Sequence, residues 1–132
     1  MKYVSMLATL ITQYVPFLTV PPMLVVEPEE VILVKNRSSV LSNDTSNSAE
    51  FSCSVFSIPR AMITWTFITS SGYDITDDPR INITSVYDGD YEVSSYLTFT
   101  EIQFRDCGSV TCTADSASGT ISSSTQLSIH GI

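Results

Sequence analysis

Three segments of the chain alternate between apolar and polar residues, and each carries a cysteine or a tryptophan on its apolar side. The apolar positions are Phe51, Cys53 and Val55 in the first segment, Ile63, Trp65 and Phe67 in the second, and Val110, Cys112 and Ala114 in the third. A period of two is typical of a β-strand that buries one face. We therefore expect Cys53, Trp65 and Cys112 to point into a common core.

Further alternation and short apolar runs predict strands along most of the chain. The predicted strands cover residues 23–26, 31–34, 49–55, 62–68, 81–83 and 91–102, followed by two more around a tight turn at 116–119. A polar loop is predicted at 35–48 and a turn at 57–60, and Asp88-Gly89 is a hairpin signal. The residues expected on the core side of the fifth and sixth strands are Ile81, Ile83, Val93, Leu97 and Phe99.

The N-terminal stretch is uncharged from residue 3 to residue 26. Its apolar start is typical of a secretory signal, so we interpret residues 1–21 as a signal peptide before a domain at 22–130. An uncleaved membrane anchor is the alternative, because the stretch is long enough to span a bilayer and lacks an Ala-x-Ala cleavage site. Prolines inside the stretch disfavour a continuous membrane helix. A third interpretation is that the chain is a fragment of a longer receptor.

The charge balance excludes several classes of partner. Fourteen acidic residues against six basic ones give a net charge of −8. Such a surface repels phosphate groups, which argues against nucleic acid as a partner and against insertion of the domain itself into an anionic membrane. The acidic residues of 69–90 lack EF-hand spacing, so we predict a solvated acidic edge there rather than a calcium site.

The cysteines and the single histidine limit the possible chemistry. Three cysteines leave one unpaired, no Cys-x-x-Cys motif occurs, and His130 is the only histidine, which excludes the common zinc patterns. His130 lies near the end of the chain, so no nucleophile–base pair can be named. We predict no enzymatic activity and no cofactor. One structural disulfide with a spare thiol indicates an oxidising compartment.

Three Asn-x-Ser/Thr sequons, at Asn36, Asn43 and Asn82, predict N-linked glycans. Asn36 and Asn43 fall in the predicted polar loop. Asn82 lies between two isoleucines that are expected to face inward, so its own side chain is expected to face outward. Sequons at exposed positions are typical of a secreted domain.

Several residues match the signature of a known family. They are Cys53, Trp65, Arg80, Leu97, Asp106, Gly108, Cys112, Ala114 and Gly119. Through them, residues of about 22 to 130 resemble an immunoglobulin domain, nearest the I-set of adhesion molecules, receptors and matrix proteins. Two positions depart from the pattern. Val110 replaces the corner tyrosine, which predicts a looser corner, and Ser116 replaces the asparagine of the last turn.

The resemblance implies an all-β fold, an immunoglobulin-like sandwich of two antiparallel sheets with Greek-key connections. It implies a disulfide between Cys53 and Cys112 that packs on Trp65, and an ion pair between Arg80 and Asp106. Cys107 then stays unpaired, and its place in the corner predicts an outward thiol. That thiol is open to a disulfide-linked homodimer or to capping by a small thiol.

The function implied by the resemblance is recognition. We expect an extracellular or cell-surface module that mediates protein–protein binding, in adhesion or as part of a receptor–ligand pair. Its partner would be a protein ligand or another immunoglobulin-like domain. It would be bound through the sheet that contains the predicted strand at 62–68 and the two strands around the turn at 116–119, because the sequons lie elsewhere. The alternative is a structural spacer within a larger multi-domain receptor or matrix protein. The expected location is outside the cell or on the outer face of the plasma membrane.

Overall fold

The computed structural model describes residues 18–35 and 47–131. These residues form eight β-strands, and a short 3₁₀ turn lies at Phe104–Asp106. The strands are β1 (Val20–Val26), β2 (Val31–Lys35), β3 (Ala49–Ile58), β4 (Met62–Thr69), β5 (Ile81–Asp88), β6 (Glu92–Phe99), β7 (Gly108–Ser116) and β8 (Gly119–Gly131).

The strands pair into two four-stranded sheets, in the orders β1-β3-β6-β5 and β2-β8-β7-β4. Neighbouring strands are antiparallel except for β2 and β8, which run parallel. The chain changes sheet at 27–30, where Pro28 is buried, so its first apolar region is split between both sheets. This order, with its crossovers between the sheets, is the predicted immunoglobulin-like sandwich.

A disulfide and a tryptophan occupy the centre of the core. The predicted bridge between Cys53 and Cys112 is confirmed, and it joins β3 to β7 with the two Cα atoms 6.5 Å apart. Trp65 lies opposite Cys112 in the β4–β7 ladder. Its indole N–H donates a 2.9 Å hydrogen bond to the hydroxyl of Ser95 on β6, a fully buried side chain. Strands of both sheets are therefore joined around one centre.

Several strands have bounds that differ from the prediction. β1 begins at Val20 and β5 runs to Asp88, beyond the predicted 23–26 and 81–83. β3 continues to Ile58, because Val20 of β1 pairs with Ile58 and extends the ladder. Phe56 and Ile58 are buried there, beside Val20, Val25 and Tyr91. β6 ends at Phe99, and Ile102 is buried in the corner that follows instead of within a strand.

Ile83 lies on the predicted core side of β5 but is not buried. Ile83 pairs with Leu97 of β6, so it lies on the core side of its sheet, yet 40 % of it is exposed. The cause is a displacement of the sheets. Across the core β4 packs on β6, β7 on β3 and β8 on β1, so β5 extends beyond the edge of the opposite sheet. Ile83 has the predicted direction but no strand across from it.

Removing the central disulfide should lower the free energy of unfolding by about 4 kcal/mol, because the bridge closes a loop with a sequence separation of 59 in the unfolded chain. Urea denaturation of the Cys53→Ala/Cys112→Ala variant measures this, with Cys107→Ser as the control that keeps the bridge. A peptide map of unreduced protein in which Cys107 is linked to Cys53 or Cys112 would contradict the assignment.

Candidate functional site

Arg80, directly before β5, holds together the end of the sandwich where β6 leads into β7. Its Nη1 and Nη2 atoms donate to both carboxylate oxygens of Asp106, at 2.7 and 3.1 Å. Its Nε and Nη2 atoms donate to both oxygens of Asp78, at 3.0 and 2.9 Å. Nη1 also donates to the carbonyl of Glu101 at 3.1 Å. Every N–H of the guanidinium thus has an acceptor.

The Asp106 carboxylate is the buried end of this network. Asp106 is 2 % exposed, and a buried carboxylate is costly unless it is paired and hydrogen-bonded. Besides Arg80, it accepts a 2.7 Å bond from the backbone N–H of Gln103, which caps the 3₁₀ turn. The corner is therefore tied to the start of β5 through a charged pair. Val110, at the tyrosine position, is fully buried, and the looser corner expected from it stays a prediction.

Asp78 belongs to this network and was missed in the sequence. The pKa of Asp78 is held below its usual value, first by the side-chain hydrogen bond from Arg80 and then by the backbone N–H of Arg80. The pKa of Arg80 is raised in turn, by its bonds to Asp78 and then to Asp106. The signal was present as Asp78-Pro79-Arg80, a carboxylate two residues before the arginine, but it lay inside an acidic run interpreted as solvated edge.

A cleft of about 330 Å³ opens beside this network. Its lining consists of Thr69, Ser71, Tyr73, Ile75, Asp78, Arg80, Arg105 and Asp106. The two arginines are matched by two aspartates, so the cleft offers no net charge to an ionic ligand. Across the described ranges, 18–35 and 47–131, no group of histidine, cysteine and carboxylate side chains is arranged to hold a metal ion.

Cys107 lies at the same end of the sandwich, with a free and half-buried thiol. The hydroxyl of Ser70 lies 3.7 Å from its sulfur and donates to its carbonyl at 3.2 Å. The Ser70 N–H donates to the same carbonyl at 2.9 Å. The thiol is therefore partly covered by Ser70.

The outer face of the β2-β8-β7-β4 sheet is rich in hydroxyl groups, and we call its central part the hydroxyl face. It consists of Thr64, Thr66, Ser109, Thr111, Thr113, Ser122, Ser124 and Ser128. Neighbouring hydroxyls bond across the strands, from Thr111 to Ser124 at 2.7 Å and from Thr113 to Ser122 at 3.0 Å. Asp115 and His130 lie only at its two ends. The centre of the face is polar and uncharged.

Exposed apolar side chains flank the hydroxyl face on both edges. Met62 and Ile68 lie on β4, and Ile32 and Val34 on β2. By register, the outer face of the opposite sheet carries the acidic residues Glu50, Asp88 and Glu92. That sheet also carries Asn82, which is exposed and lies on the side away from the core. The sequons Asn36 and Asn43 lie outside the described residues.

A family model of the immunoglobulin I-set domain matches residues 33–129. The chain belongs to the immunoglobulin I-set family. Members of this family are non-enzymatic binding and structural modules, so the I-set domain described here is one as well. No protein of curated function matches its sequence. Within the described residues, no helix is long and apolar enough to cross a membrane.

Solved structures similar to this I-set domain include several of titin. A mutant complex of titin M10 with the obscurin-like 1 immunoglobulin domain matches with a TM-score of 0.62 and 20 % identity, covering 87 % of this chain and 98 % of that one. Titin domain M7 gives 0.61 and 21 %, with coverage of 85 % and 96 %. The titin Z1Z2 domains in complex with telethonin give 0.62 and 18 %, with coverage of 87 % and 49 %. At these identities the likeness establishes the fold.

Gly108 of the I-set signature has a steric explanation in this domain. It pairs with Thr69 at the start of β7. A Cβ atom added at this position would collide with the backbone carbonyl of Ile68. Only glycine allows β7 to approach β4 this closely where it leaves the corner.

Breaking the Arg80–Asp106 pair should be costly, because either single change leaves a buried group without its partner. We expect Arg80→Ala and Asp106→Ala each to lower the free energy of unfolding by about 3 kcal/mol. The double variant should lose little more than either single variant. Arg105→Ala, at the exposed neighbouring arginine, is the control and should change stability by less than about 0.5 kcal/mol. Losses that simply add would mean that the two side chains do not interact.

Proposed function

We propose that this I-set domain is a protein-recognition module that acts outside the cell or on its surface. We propose further that it binds its partner through the hydroxyl face and the apolar residues that flank it. One observation carries the proposal: a chain of net charge −8 leaves the centre of this sheet face without a single charged side chain. Acidic residues are placed elsewhere, on the opposite sheet and at the ends of the sandwich.

Desolvation makes this face the least costly one to cover. A charged group loses much more free energy than a hydroxyl when it is taken out of water without a new partner. The central hydroxyls already have partners, since Thr111 bonds to Ser124 and Thr113 to Ser122. A protein that covers them therefore leaves few unsatisfied groups. The flanking Met62, Ile68, Ile32 and Val34 then add apolar area at both edges of the contact.

The disulfide and Asn82 support an extracellular setting. A structural disulfide in a small domain indicates an oxidising compartment. Asn82 is exposed on the sheet opposite to the hydroxyl face, so a glycan there would leave the proposed contact surface open. A signal peptide, predicted at 1–21, belongs to the same setting. That range lies mostly outside the described residues and overlaps β1, which begins at Val20.

Similar structures give the proposal a precedent. The complexes with obscurin-like 1 and with telethonin show titin immunoglobulin domains bound to other proteins. Other solved neighbours contain two or three immunoglobulin domains in one chain, as in Z1Z2 and in a three-domain titin fragment, of which this chain covers 33 %. That observation favours the second candidate function, a structural spacer in a longer chain.

A charge placed at the centre of the hydroxyl face should abolish binding. The probe is the glycosylated domain in pentameric form, screened against individually expressed extracellular proteins of the same organism. We expect Ser124→Arg to weaken binding to the recovered partner at least about tenfold. Ser94→Arg is the matched control, because Ser94 also bonds to a serine on the neighbouring strand, at 2.7 Å, but on the opposite sheet. Binding that survives Ser124→Arg would refute the assigned face, and the absence of any partner would favour the spacer.

A homodimer linked through Cys107 stays a prediction. If it forms, secreted protein should run as a dimer on a non-reducing gel and as a monomer after reduction or with Cys107→Ser. Because Ser70 partly covers the sulfur, we expect Ser70→Gly to increase the dimer fraction. A monomer at every protein concentration would leave Cys107 as an unpaired thiol without a role in assembly.

A further inference from the structure

Within the described part of the chain, only half of the outer edge of β4 has hydrogen-bond partners for its backbone groups. In an antiparallel ladder, alternate residues turn their N–H and C=O groups toward opposite sides of the strand. At one end of β4 these outward groups have partners: Thr69 N–H donates to Tyr73 O at 2.8 Å, and Phe67 O accepts from Ile75 N–H at 2.9 Å. The same alternation turns Ile63 and Trp65 outward at the other end. β4 is the last strand of its sheet, and no described strand lies beside that end.

β5 of the opposite sheet extends over this open edge. Its side chains Ile83, Ser85 and Tyr87 lie on the core side, since they pair with the buried Leu97, Ser95 and Val93. The hydroxyl of Ser85 donates to Ser95 Oγ at 3.2 Å, and Ser95 in turn accepts the Trp65 indole N–H. These side chains therefore face toward Trp65. Yet Ile83 is 40 % and Tyr87 is 55 % exposed.

Together these features leave the β4 edge open beside β5, and we call this place the edge slot. Its side is the β4 edge at Ile63 and Trp65, and its roof is the core side of β5 at Ile83 and Tyr87. The guanidinium of Arg60 lies 4.2 Å over the Tyr87 ring, so an added strand would have to move this exposed side chain aside. Neighbouring strands lie about 4.8 Å apart and packed sheets about 10 Å apart. One more strand beside β4 would thus lie directly across from β5 and bury its exposed apolar side chains.

We propose that the edge slot binds an extended segment of a partner protein, which adds to β4 as a fifth strand of that sheet. This goes beyond the hydroxyl face and does not depend on it. The backbone groups of Ile63 and Trp65 would bond to the segment, and its alternate side chains would pack against Ile83 and Tyr87. Strand addition to an exposed sheet edge is a general mode of peptide recognition.

The charged residues around the edge slot define which kind of segment it can bind. Asp88 and Asp90 lie where β5 turns into β6, beside Arg60, which donates to the Gly89 carbonyl at 3.2 Å, and Asp74 and Asp77 lie in the segment between β4 and β5. Arg60 offsets one of the two negative charges at the first end, so both ends of the slot are acidic. No ion pair within the described ranges involves any of these four aspartates. A segment that fits the slot therefore has apolar residues at alternate central positions, uncharged residues between them, and basic residues at both ends.

A second copy of this domain does not fit the slot by pairing β4 with β4. The β6 strand of each copy lies across from its own β4. A partner β4 placed at strand spacing would bring its β6 into the position that β5 of the first copy occupies. The displacement of the sheets thus admits a single strand and excludes the edge of another sandwich of the same kind.

The probe is a synthetic nine-residue peptide of alternating valine and threonine with two lysines at each end. Amide exchange of ¹⁵N-labelled protein is measured with and without it. We expect the Ile63 and Trp65 amides to slow at least about tenfold at saturation. The Thr64 and Thr66 amides, which face β7, should not change. Exchange at Ile63 and Trp65 that is unaffected by millimolar peptide would overturn the proposal.

Substitutions on the two sides of β5 distinguish peptide binding in the edge slot from charge attraction to the acidic surface around it. Ile83→Lys faces the slot and should weaken peptide binding at least about tenfold. Val86→Lys lies on the opposite side of the same strand, is 57 % exposed in the native protein, and should weaken it less than about twofold. Tyr87→Lys replaces Ile83→Lys if that variant does not fold.

A peptide with glutamates in place of the lysines should bind at least about tenfold more weakly, and Ser124→Arg should leave peptide binding unchanged. Equal losses with Ile83→Lys and Val86→Lys would reduce the interaction to nonspecific charge attraction and refute the slot. Loss of peptide binding in Ser124→Arg would place the peptide on the hydroxyl face instead, which would also refute it.

Discussion

The disulfide between Cys53 and Cys112 fastens the two sheets together at the centre of the core. It joins β3 to β7 in an alignment that places β6 across from β4 and β1 across from β8. Two four-stranded sheets aligned in this way are displaced by one strand, so β5 and β2 have no strand opposite them. The open apolar side of β5 and the half-used edge of β4 both follow from this alignment. These surface features are thus a consequence of how the two sheets are aligned.

The Arg80 network acts away from this centre, at the end of the sandwich where β6 leads into β7. Asp106 is buried where β6 turns toward β7, and its charge requires a partner. Arg80 supplies that partner from the start of β5 and also binds Asp78 and the Glu101 carbonyl. Glu101 has a φ of 53°, an unfavourable value for a residue with a Cβ. The charged hydrogen bond to its carbonyl helps to offset that cost.

Alternation along the sequence predicts the direction of a side chain but not what lies across from it. Phe51, Val93 and Leu97 were expected on the core side and are buried there. Ile83 has the same pattern and the same direction, yet it is exposed because burial also depends on the displacement between sheets. The displacement between the sheets arises from contacts between residues that are distant in sequence. The family resemblance located Cys53, Cys112 and Arg80. Asp78 was missed, because a carboxylate within an acidic run is expected to be solvated unless the position of its basic partner is known.

The distribution of charge separates the surfaces that can be covered from those that remain in water. β4 carries no charged residue from Met62 to Thr69, and the hydroxyl face and the edge slot meet along it. A fully apolar sheet with an open edge would invite aggregation. Hydroxyl groups that bond to one another avoid this, since they are hydrated when free and satisfied when covered. Repulsion among the acidic residues is screened beyond about 10 Å, whereas desolvation acts at contact. Covering the surface along β4 therefore takes the fewest charges out of water.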